Sequence, residues 1–109
     1  MAYDERLAAR VRGALARREG VTEKTMFGGI AFLLNGNMAV GVHGSELIVR
    51  LAVDDAAGAL KEPGTRPFDM TGRPMKGWLF VGAQGQRDEA TFAAWVARAA
   101  AHAASLPKK

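Results

Sequence analysis

The chain has 109 residues, 49% of them hydrophobic and 24% charged, with no cysteine, a net charge of +4 and a pI of about 10.0. That length suits one domain over residues 1–109 with its own apolar core, and the lack of cysteine excludes thiol catalysis and a disulfide framework. No stretch approaches the roughly 20 apolar residues of a membrane span, and the N-terminus lacks a signal-peptide core, so a cytoplasmic protein with no membrane role is expected.

Residues 3–18, YDERLAARVRGALARR, read as a helix. Leu7, Val11, Ala14 and Leu15 recur at helical spacing as one buried stripe. Asp4 and Glu5 open it, Arg17 and Arg18 close it, and Gly20 stops it. Residues 25–34, TMFGGIAFLL, read as a strand in which Gly28-Gly29 marks a bulge or a close backbone approach. Asn35-Gly36 is a strong hairpin signal, because both residues tolerate positive φ. Residues 38–43 return as a strand, and 46–51 make a third after a turn at Gly44-Ser45.

A short helix is expected over 54–61 with Asp54 as its N-cap. Residues 62–67, EPGTRP, break it. Brief strand character over 68–70 precedes a stronger strand over 77–83. Alternation sends Trp78 and Phe80 to one face of that strand and Leu79 and Val81 to the other. QGQR reads as a loop, and Asp88 caps a final helix over 89–105 with Phe92, Trp95, Val96, Ala99 and Ala103 on one side. The order α-β-β-β-α-β-β-α indicates an α+β domain: an antiparallel sheet of about five strands with helices packed on it.

Catalytic chemistry has little material. The serines are Ser45 and Ser105 and the histidines His43 and His102, with no acid marked to orient a base. Without cysteine, and with two distant histidines, no metal site is expected. GRPMKG, residues 72–77, lacks the phosphate-loop spacing, and no hydroxyl residue follows Lys76. FGGIAF lacks the dinucleotide-binding spacing. No catalytic residue and no cofactor are therefore expected.

The positive charge is uneven. Residues 66–87 carry +3 and residues 1–24 carry +2. Arg6, Arg10 and Arg17 fall on one side of the first predicted helix, and with Arg66, Arg73 and Lys76 they make a candidate basic surface for a protein partner or for nucleic acid. A solvated face with internally paired arginines explains the same residues. The apolar character of both faces of 78–81 admits either a packed monomer or a homodimer.

Three blocks, KTMFGGIAFLLNGNMAVGV (24–42), ELIVRL (46–51) and RPFDMTGRPMKGWLFV (66–81), resemble in order and spacing the N-terminal domain of the TfoX/Sxy family. The resemblance implies a secretion-chaperone-like α+β layer. It also implies a non-enzymatic regulatory role in competence-type transcription, exerted through protein contacts, for example with a transcription factor. Longer members add a domain resembling helix-hairpin-helix DNA-binding modules, and the expectation here is the N-terminal domain standing alone.

Overall fold

The computed structural model describes residues 3–26, 28–69, 72 and 75–108. Ten elements follow one another: α1 (Glu5–Ala14), β1 (Val21–Met26), β2 (Gly29–Leu34), β3 (Asn37–His43), β4 (Glu46–Arg50), α2 (Val53–Ala59), β5 (Thr65–Pro67), β6 (Trp78–Val81), α3 (Ala83–Gln86) and α4 (Glu89–Ser105). The six strands form one sheet in the order β1-β2-β3-β4-β6-β5, and every neighbouring pair is antiparallel. The α+β class stands as expected.

Several boundaries move, each for a physical reason. The strand read over 25–34 is two strands. Met26 pairs with Gly29, so β1 and β2 run antiparallel as separate strands. The irregularity in register lies instead between Phe32 and Leu33, against β3. β1 has one half-buried residue at each end and four exposed residues between, so it carries no apolar alternation to read. α1 ends at Ala14, where the Leu15 N–H bonds to the Val11 carbonyl and a turn begins. Arg17 therefore lies past the helix, and Gly20 is not its stop. Ala14 is exposed, and Ala8 takes its place in the buried stripe with Leu7, Val11 and Leu15.

Asp54 is not the cap of α2. Ala52 holds that position without a side-chain hydrogen bond, and Asp54 and Asp55 sit in the first turn, where the helix dipole favours them. The strand expected over 68–70 lies earlier, at 65–67. Pro67 is tolerated there because β5 is an edge strand, where one N–H has no ladder to serve. Phe68 instead turns into the core and is fully buried. The QGQR stretch contributes to α3. Gln86 is buried and donates to the carbonyls of Val81 (2.7 Å) and Ser45 (3.2 Å).

Other readings hold in detail. Asn35 and Gly36 have φ of 55° and 83°, and the strands they join pair directly. Asp88 accepts from the Thr91 N–H at 3.1 Å, capping α4. Asp4, expected within the first turn of a helix beginning at residue 3, instead caps α1 by accepting from the N–H groups of Arg6 and Leu7.

The core is in two parts. Leu7, Val11, Phe92, Trp95 and Ala99 from the helices meet Phe32, Val40, Val49 and Val81 of the sheet. The other sheet face carries a smaller cluster of Ala31, Met38, Ile48, Phe68 and Phe80, with Trp78 and Met75 packed beside it. No helical residue belongs to that second cluster. The alternation expected at 78–81 is thus observed, with Leu79 and Val81 facing the helices and Trp78 and Phe80 facing away.

Candidate interaction surface

Two of the predicted basic residues, Arg10 and Arg66, are engaged by glutamates within the fold. Arg10, on α1, reaches across to α4: its Nη2 lies 2.7 Å from Glu89 and its guanidinium 4.0 Å from the Phe92 ring centroid. Arg66, on β5, donates from Nε to Glu46 at 3.1 Å and stacks 4.2 Å over Phe80. Its pairing with Glu46 holds the guanidinium above the usual arginine value, chiefly through hydrogen bonding. Arg6 and Arg17 are exposed, as is Lys76, and none has an ion-pair partner among the described residues. Arg73 lies outside the described residues.

Two further arginines, not singled out from the sequence, are also committed. Arg98 pairs with Glu62 at 3.0 Å and covers Trp95. Arg12 forms a two-pronged bond to Glu23, Nε to Oε2 at 2.6 Å and Nη2 to Oε1 at 2.7 Å. These hydrogen bonds hold the Glu23 carboxyl below its ordinary range, with a smaller Coulombic contribution and partial burial opposing. A carboxyl held low in the fold adds stability above its unfolded pKa, and that contribution is lost as pH falls through the lowered folded value. Glu23→Gln should therefore weaken the domain near neutrality and lose its effect in acid. Denaturant midpoints of both proteins, measured across that acid range, should converge. A gap unchanged at low pH would exclude the ion pair as its source.

The helix-free sheet face has a different character. Lys24 sits opposite Ala31, and Arg50 sits opposite Trp78, so both cations share a face with the second apolar cluster. The Arg50 guanidinium stands 5.4 Å from the Trp78 ring centroid. A depression of about 320 Å³ opens between them, floored by Met26, Leu33, Met38 and Trp78. Neither Lys24 nor Arg50 has a carboxylate partner among the described residues. Sequence reasoning missed this pair because β1 was not recognised. The spacing of Lys24 and Met26, two apart on one strand, was the signal available.

Chemistry-bearing groups are placed otherwise. The His43 ring is half-buried, with its centroid 6.1 Å from that of Phe80. Ser45 lies in the turn between β3 and β4. His102 and Ser105 are at the end of α4, where the serine hydroxyl donates to the His102 carbonyl at 2.6 Å. Among the described residues no group of three His, Asp or Glu side chains gathers as a metal site would require. No helix there is long and apolar enough to cross a membrane.

Among known proteins, neither a curated sequence nor a solved structure gives a significant match. A family model described as the TfoX N-terminal domain matches residues 13–103, nearly the whole chain. That span takes in the Asn35-Gly36 hairpin, both sides of the sheet and the helix that carries Trp95. The chain belongs to the TfoX N-terminal domain family.

Proposed function

We propose that this domain is a non-enzymatic, cytoplasmic regulatory module that acts in competence-type transcriptional control by binding an acidic protein surface. The observation that carries this reading is the helix-free sheet face, where an apolar floor is bordered by Lys24 and Arg50. An apolar centre with a charged rim is the anatomy of a protein contact, and Trp and Arg are the side chains that most often anchor one. Membership of the TfoX N-terminal domain family supports the regulatory setting.

Direct nucleic-acid binding is the rival. Counterion release on a phosphate backbone needs cations that are free to neutralise it. Arg10, Arg12, Arg66 and Arg98 already neutralise glutamates within the fold, which leaves Arg6, Arg17 and Lys76 as the cations this rival would use. The test is Lys24→Glu combined with Arg50→Glu. Lys24 is exposed and Arg50 half-buried, and neither is in an ion pair among the described residues, so the protein should keep a cooperative melting transition. Capture of the transcription-factor partner from native cell extract should fall at least about tenfold, the cost of two reversed rim charges. Unchanged capture would remove this face from the function, and duplex DNA binding with a steep salt dependence would support the rival.

A further inference from the structure

On α2, the seven-residue helix beside β6, and at its C-cap lie the two exposed large hydrophobic side chains among the described residues: Val53, 53% exposed, and Leu60, 37% exposed. Ala57 is exposed between them. At about 100° per residue, positions 53, 57 and 60 fall within an arc of roughly 60°, so the three form one stripe along the helix. Beside it runs a mainly apolar groove of about 300 Å³, whose far wall includes Pro67, Met75 and Trp78. The small Ala57 leaves room for another backbone to come close at the middle of the stripe.

Lys76 lines the groove, and two further charges stand along the stripe itself. Asp54 stands in the first turn of α2, and Lys61 follows its C-cap residue, Leu60. The two are exposed, and because the C-cap residue Leu60 keeps right-handed helical φ and ψ of −65° and −8°, the seven-residue spacing sets both positions on the same flank of the stripe. They are seven residues apart, about 10 Å along the axis. A two-fold axis that lays one such helix antiparallel on its copy preserves the flank and reverses the direction. Asp54 of each copy then faces Lys61 of the other, twice. A surface with opposite charges at opposite ends of one flank is complementary to itself, as an isologous contact requires.

We infer that the α2 stripe is a self-association surface, and that its occupant is α2 of a second copy of this chain. Its groove meets the Lys24–Arg50 face at Trp78, but the charges that would pair across it, Asp54 and Lys61, lie outside that face, and it does not depend on the regulatory reading. A stable dimer buries roughly 800 Å² on each partner. A helix about 10 Å long with one groove wall offers less, so the dimer is weak and concentration-dependent, with a dissociation constant in the micromolar range or above.

Sedimentation equilibrium over a concentration series tests this, read together with single and paired charge reversals. The parent chain should pass from monomer to dimer as its concentration rises toward about 500 µM. Asp54→Lys alone and Lys61→Asp alone each place like charges opposite one another, and each should weaken dimerisation roughly tenfold or more. Asp54→Lys combined with Lys61→Asp restores both pairs in reversed sense and should recover dimerisation. Leu60→Ser should abolish it while the melting temperature stays close to the parent's. A parent that remains monomeric throughout the series overturns the inference. So does a dimer indifferent to these changes, or a double reversal no better than the single ones. Partner capture through Lys24 and Arg50 is read in a different assay, so either result can fail without the other.

Discussion

Trp95→Ala should cost the domain about 3–5 kcal/mol, the usual loss when a large core aromatic is truncated and its cavity only partly collapses. Trp95 is 2% exposed and is the largest of the fully buried side chains. It stands on the face of α4 that packs against the sheet, among the residues of the larger core. Neighbouring parts limit its relaxation. A methyl group at Gly85 would lie 3.7 Å from the Trp95 Nε1, so α3 is packed closely beside the ring. Arg98, held by Glu62, covers it from outside with its guanidinium 4.4 Å from the ring centroid. A domain of this size has a total stability of about 5–15 kcal/mol, so the substitution removes a large fraction of it. Urea denaturation should show a much lower midpoint with the cooperativity retained. Arg98→Ala, which strips only the half-exposed cover, should cost well under half as much. A midpoint for Trp95→Ala equal to the parent's would show that the ring does not anchor α4 to the sheet.

The parts of this fold that were legible in the sequence are those where the local signal and the tertiary environment agree. Asn35-Gly36 names its turn by its own φ preferences, and the apolar runs on either side pair as that turn dictates. α4 shows its cap at Asp88 and its stripe at Phe92, Trp95 and Ala99 because one side faces the core throughout its length. β1 fails this condition. Thr22, Glu23, Lys24 and Thr25 are all exposed, and the strand exists through its ladder to β2, which no periodicity records. Asp54 was misread for a related reason. Its acid suits the cap and the first turn alike, and the chain's exit from β4 decides between them. The candidate basic surface divides along the same line. The sequence shows that Arg10 and Arg66 are cationic but cannot show that Glu89 and Glu46, 79 and 20 residues away, come within reach. Lys24 and Arg50 share a face only because β1 and β4 are placed in one sheet, a fact of topology and not of composition.

Gly29→Ala should be the most disruptive of the small glycine substitutions in the first hairpin, and its comparison with Gly28→Ala separates two kinds of cost. Gly28 has φ of +74°, and the nearest atom to an added methyl group is the His43 Nε2 at 4.0 Å. Its substitution is a matter of backbone conformation alone, about 1 kcal/mol for a non-glycine residue held in the left-handed region. Gly29 is different. It begins β2 and is buried, and an added Cβ would stand 2.0 Å from the Val42 carbonyl oxygen and 3.1 Å from its carbon. Backbone cannot swing aside as a side-chain tip can, so the clash must be relieved by moving β2 and β3 apart. Val42 is itself fully buried and pairs with both Ile30 and Leu47, so the displacement reaches the centre of the sheet. The expected loss is roughly 3 kcal/mol or more, at the upper end of overpacking costs. Amide hydrogen exchange locates the damage. Gly29→Ala should lower protection along residues 29–34 and 37–43, whereas Gly28→Ala should affect only the turn. Equal, small losses from both substitutions would mean that β2 and β3 do not approach each other this closely at Gly29.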